Sequence, residues 1–164
     1  MSKTGKIRLC AALLVLNLLF IWGNSLLPGA ISGTISQWLR QLLGFLDNQP
    51  DTGHGILRKL AHFTEFACLG VLLQWLRAML GKKLPGSILL GFGAACIDEI
   101  IQCFVPDRGP GILDVAIDTA GVAVGAIILY IIMKNINTRR MNNEKSNCND
   151  SGSGYGSGHG CLRR

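Results

Sequence analysis

Apolar residues gather along this chain in four stretches, 9–22, 57–80, 84–105 and 112–133, separated by polar, glycine- or proline-bearing segments. A helix that crosses the hydrocarbon layer needs roughly 20 residues. The last three stretches reach that length, and the first does so if it runs on to Leu27. The predicted fold is all-α: a polytopic membrane bundle of four transmembrane helices plus one interfacial helix. That last element lies in the long connection 24–56, where Ile35, Trp38, Leu39, Leu42, Leu43 and Leu46 recur at helical spacing with Arg40 and Gln41 on the other side. Residues 35–46 therefore read as an amphipathic helix in the membrane interface, or as a soluble-type helix packed on the bundle, and 47–55 as a loop.

The two ends need separate readings. Lys3, Lys6 and Arg8 ahead of an apolar run also resemble a secretory signal, with Leu27-Pro28-Gly29-Ala30 a poor cleavage site. A retained helix is expected, because three further spans follow. From Asn142 onward the chain is rich in Asn, Ser and Gly and is expected to be disordered, with His159 and Cys161 at most weak metal ligands. The organisation expected is a membrane domain over 1–141, with its core at 9–133, and a polar tail over 142–164.

Composition agrees with lipid as the solvent. Hydrophobic residues make up 49% and charged residues 16%, against about 25% charged in an ordinary soluble domain. The net charge of +6 does not imply nucleic acid, since no RNP, zinc-finger or helix-turn-helix pattern is present and the basic residues flank apolar runs. Their placement sets an orientation. Lys3, Lys6, Arg8, Arg77, Lys82, Lys83, Lys134, Arg139 and Arg140 fall on one side, against Arg40, Arg58, Lys59 and Arg108 on the other. Both termini are then expected in the cytoplasm, with the connection 24–56 and the turn 106–111 outside. The expected partner is the bilayer itself; self-association is left open. Six cysteines without a CxxC pair read as small hydrophobes, and no disulfide is expected.

Against that apolar background the ionisable residues are few and grouped. The second stretch opens with Arg58, Lys59, His62 and Glu65, the third ends with Asp98, Glu99 and Gln102, the turn holds Asp107 and Arg108, and the fourth opens with Asp114 and Asp118. Each charge inside a span costs roughly 2.5 to 3.5 kcal/mol on the insertion scale. Lys59, His62 and Glu65 share a helix face, as do Asp98, Glu99 and Gln102, and Asp114, Asp118, Gly121 and Gly125. Gly121-xxx-Gly125 is a small-residue packing face, and Gly91, Ala94 and Ala95 give the third stretch another. The groups are thus expected to converge near the outer interface, where Arg58, Lys59, Arg108 and His62 offset part of the carboxylate charge. An ion-pair network that only fixes helix packing is the plain alternative.

These residues also carry a resemblance. Arg58 followed by His62-Phe63, Glu65-Phe66 and Leu69-Gly70, then Asp98-Glu99 with Gln102, Phe104, Pro106 and Arg108, then Asp114-Val115 with Thr119, Gly121 and Gly125, resemble in order three motifs of the VanZ-like family. The family pattern has Asn where this chain has Asp118. The resemblance implies a cell-envelope membrane protein connected with resistance to teicoplanin, a lipid-tailed glycopeptide, and supplies no mechanism.

Three functions follow. The first is binding or remodelling of an envelope lipid or lipidated compound, with Arg58, Lys59 and Arg108 holding a phosphate and the carboxylates positioning those bases or meeting an amine or sugar. The second, ranked below it, is an intramembrane enzyme on a lipid-linked substrate, with His62 and one of Glu65, Asp98 or Glu99 as acid and base. The third is a structural or assembly role. No cofactor and no metal are expected: His-x-x-Glu, as in His62 and Glu65, is common by chance, although His62 with carboxylates is the set that would hold a divalent ion.

Overall fold

A computed structural model describes residues 2–26, 53–106 and 111–151, with side chains described at 2–26, 59–106 and 111–144. The interfacial helix expected at 35–46, most of the turn 106–111 including Arg108, and the side chain of Arg58 lie outside the described residues. Within them the chain is all-helical: α1 (Lys3–Ser25), α2 (Gly53–Met79), α3 (Pro85–Gln102) and α4 (Ile112–Ser151).

The local chemistry explains the boundaries. Ser2 caps α1, its hydroxyl accepting from the Gly5 N–H at 3.1 Å. Gly81 at φ 69° closes α2 in the left-handed region that glycine enters freely. Four residues later Pro85 opens α3 at its first turn, and Arg77 Nη2 donates to the Lys83 carbonyl across the bend at 3.2 Å. So short a connection makes α2 and α3 antiparallel neighbours. Helix α4 does not stop near residue 133 but continues to Ser151, so residues 142–151 are helical where the sequence led us to expect disorder. No Gly or Pro interrupts the chain between Gly125 and Gly152, and without such a breaker the helix propagates.

The chain divides into two compact units, residues 1–129 and 130–164. In the first, α1 packs on α2 and α3, and α2 on α3. The core is one apolar layer built from all four helices: Ile21, Phe66, Leu69, Leu73, Ala95 and Val122. The N-terminal part of α4 joins it through its glycines, with Gly121 against the Phe63 carbonyl and Gly125 against the Ala67 carbonyl. In the second unit, residues 130–151 are helical, and Ile131, Ile132, Ile136 and Met141 are exposed.

The first unit is apolar outside and partly polar inside. Leu16, Leu19 and Phe20 on α1, Leu89, Leu90 and Ile100 on α3, and Ile127 and Ile128 on α4 are exposed, while Ser25, His62, Asp98, Glu99, Gln102 and Asp118 are buried. Water selects the reverse arrangement. Two helices, Lys3–Ser25 and Ile112–Glu144, are long and apolar enough to cross a membrane by length and composition. Polar residues such as His62, Glu65, Asp98 and Glu99 reduce the apolar character of α2 and α3.

Candidate functional site

The polar cluster sits one helical turn from the apolar layer on every helix. Ser25 follows Ile21 by four residues, His62 precedes Phe66 by four, Asp98 follows Ala95 by three, and Asp118 precedes Val122 by four. Residues three or four apart share a helix face. The same packing that buries the apolar layer therefore carries this second set inward beside it.

At its centre His62 Nδ1 lies 3.8 Å from Asp98 Oδ2 and 3.9 Å from Asp118 Oδ1. The three residues are 8%, 0% and 1% exposed, and one ligating atom from each falls within 4.8 Å of the others. Gln102 Nε2 donates to Asp98 Oδ2 at 2.7 Å and to Ser25 Oγ at 3.3 Å, tying α1 to α3. Asp98 Oδ1 and both Asp118 carboxylate oxygens are buried and accept no hydrogen bond. Buried polar atoms are normally paired, so these three oxygens, on the two carboxylates that face His62, mark where a further donor or cation fits.

The remaining carboxylates each have a described partner on one oxygen, although Glu65 Oε2 is also buried and accepts no hydrogen bond. Glu65 Oε1 accepts from Asn24 Nδ2 on α1 at 3.0 Å, so its described partner lies on the neighbouring helix. Glu99 Oε2 accepts the Gly111 N–H at 2.9 Å, linking the end of α3 to the start of α4. Asp114 pairs with Lys59 at 3.6 Å in a contact whose side chains keep 35% and 47% exposure.

Sequence reasoning placed His62, Asp98, Gln102 and Asp118 on suitable faces but missed Asn24 and Ser25, which it assigned to the connection after the first span. Both belong to the last turn of α1, and Ser25 is fully buried. The sequence signal was weak: two small polar residues before Pro28 read equally well as a helix end.

Described residues of all three motif regions, His62, Asp98, Gln102 and Asp118, thus meet on three helices, with Ser25 of α1 bonded to Gln102. Residues 9–133 of the 164-residue chain match the VanZ/LLP1 family. The chain belongs to the VanZ/LLP1 family. The VanZ/LLP1 match takes in every residue of the buried cluster and stops short of the C-terminal part of α4. No curated protein and no solved structure matches the chain.

Proposed function

We propose that this VanZ/LLP1 protein is a multi-pass protein of the cell membrane, with four spans and both termini cytoplasmic, that binds the headgroup of an envelope lipid or lipid-tailed compound near the outer interface. One observation carries the reading: in a bundle with an apolar exterior, Asp98 Oδ1 and both Asp118 carboxylate oxygens are buried and accept no hydrogen bond, on the two carboxylates that lie 3.8 and 3.9 Å from His62 Nδ1. The exposed apolar residues of α1, α3 and α4 support lipid as the surrounding medium. The distribution of lysine and arginine supports the orientation. The buried centre is acidic, so the part of the ligand it meets is an amine or a set of sugar hydroxyls. A phosphate is left to the basic residues, of which Lys59 is the one with a described side chain.

The test compares wild type with Asp98→Asn, Asp118→Asn and His62→Gln by native mass spectrometry of lipid co-purifying with the protein, and by cell sensitivity to a lipid-tailed glycopeptide. Losing a hydrogen bond to a charged group costs about 1.5–3 kcal/mol, so retention should fall about tenfold or more. Variants that match wild type in helicity, expression, lipid retention and drug sensitivity would refute the proposal.

A second reading, an intramembrane enzyme on a lipid-linked substrate, draws on the contact of His62 with two carboxylates. A carboxylate that orients an imidazole is the arrangement of a general base. This reading requires turnover of a lipid-linked substrate by purified protein, abolished in His62→Gln.

A further inference from the structure

The geometry points to a divalent transition-metal site, of the zinc or manganese class, formed by His62 of α2, Asp98 of α3 and Asp118 of α4. Each residue comes from a different helix, and together they bring one imidazole nitrogen and two carboxylates within 4.8 Å of one another. Bonds of about 2.0–2.2 Å to nitrogen and oxygen separate ligand atoms on one ion by roughly 3.0–3.6 Å. The two His62–carboxylate spacings, 3.8 and 3.9 Å, lie a few tenths of an ångström outside that range, and the two carboxylates come within 4.8 Å of each other.

Charge makes the same argument independently. Two buried carboxylates face one imidazole. Among the described residues, the Lys or Arg within ion-pair range of a carboxylate is Lys59, on Asp114. Uncompensated charge in the interior is among the costliest features a fold can keep, and Asp118, 1% exposed, has no hydrogen bond on either oxygen. A divalent cation supplies what both carboxylates lack. Gln102 completes the pattern: it donates to Asp98 Oδ2, the oxygen 3.8 Å from His62 Nδ1, and so holds that carboxylate in place from outside the cluster, as an outer residue orients a metal ligand. One imidazole among carboxylates selects zinc, manganese or iron over magnesium and calcium, which prefer oxygen alone. Three protein ligands leave at least one position for water or a ligand oxygen. The role of that open position, meeting a headgroup oxygen, rests on the headgroup-binding reading; occupancy by the ion does not.

The test uses the full chain, purified in mild detergent without an affinity tag that binds metal, stripped with chelator and titrated with Zn²⁺ and with Mn²⁺. Elemental analysis after desalting should find about one ion per chain. Asp118→Asn, which preserves shape, should weaken binding by about tenfold or more, while a His159→Ala, Cys161→Ala double variant in the tail binds as wild type does. Mn²⁺-loaded wild type should also show hyperfine coupling to one nitrogen by electron–nuclear double resonance, a readout that needs no variant to fold. Failure of wild type to retain either ion, equal binding by a folded Asp118→Asn, or no nitrogen coupling would each overturn the site. One retained ion in protein whose co-purified lipid is unchanged by Asp118→Asn would uphold the metal site and refute the headgroup reading.

Discussion

Gly121→Ala tests the contact that holds the site together. A Cβ on Gly121 would lie 2.5 Å from the Phe63 carbonyl oxygen and 3.3 Å from the Ala67 nitrogen. Carbon approaches a carbonyl oxygen comfortably only at about 3.3–3.6 Å, so one of the helices must retreat by roughly 0.8 Å. The obstacle is backbone, which no rotamer change can clear. Overpacking of this kind costs about 1–3 kcal/mol, partly hidden by the roughly 1 kcal/mol that alanine gains over glycine in a helix. Gly93→Ala in α3 separates the two effects, since its Cβ meets nothing within 4 Å and keeps only the propensity gain. Equilibrium unfolding in mixed detergent micelles, followed by circular dichroism, should rank Gly93→Ala at or above wild type and Gly121→Ala below it by about 1–3 kcal/mol relative to that control. Gly121 follows Asp118 by three residues, so the same retreat should carry Asp118 from His62 and lower ligand or metal retention. If both variants shift stability equally, α2 and α4 do not pack glycine against backbone, and the positions assigned to the buried groups fail with them.

Two other contacts give smaller, separable effects. Ser87 Oγ donates to Gln74 Oε1 at 2.8 Å between buried side chains, so Ser87→Ala should destabilise by about 1–3 kcal/mol. Adding Gln74→Leu should recover much of that loss, and no recovery would show that the bond is not the cause. Lys59→Ala should change stability by less than about 1 kcal/mol, because its pair with Asp114 is long and partly exposed; a larger loss in the same unfolding measurement would place Lys59 among the buried groups.

Much of this arrangement was legible in the residues because helical periodicity fixes faces. Gly121 and Gly125, four apart, predicted a close helix approach, and the structure sets them on the backbone of Phe63 and Ala67. The spacing of Asp98, Glu99 and Gln102 predicted one buried face, and all three are buried. Pairings were harder to read. His62 and Glu65 lie three apart, and spacing alone left Glu65, Asp98 and Glu99 as equal companions for the imidazole. Three residues leave an angular offset of about 60°, enough for Glu65 to bond Asn24 on α1 while His62 meets α3 and α4. The described side-chain partners of Asn24 and Ser25 are Glu65 and Gln102, more than 40 positions further along the chain. No local pattern in α1 encodes such contacts.

The two ends of α2 and α3 separate a polar contact made for packing from one made for a ligand. Near the short Gly81–Pro85 bend, Gln74 and Ser87 bridge the helices through one hydrogen bond, and the Ser87 hydroxyl has a partner within the protein. A contact that only fixes helix packing needs nothing more. At the other end the same two helices, joined by α4, bury His62, Asp98 and Asp118 with three carboxylate oxygens that accept no hydrogen bond. If packing were the sole purpose, neutral pairs such as Gln and Ser would link the helices without the cost of buried charge. Retaining carboxylate oxygens that accept no hydrogen bond within the bundle is physically reasonable when a group from outside the chain, a cation or a headgroup donor, completes them.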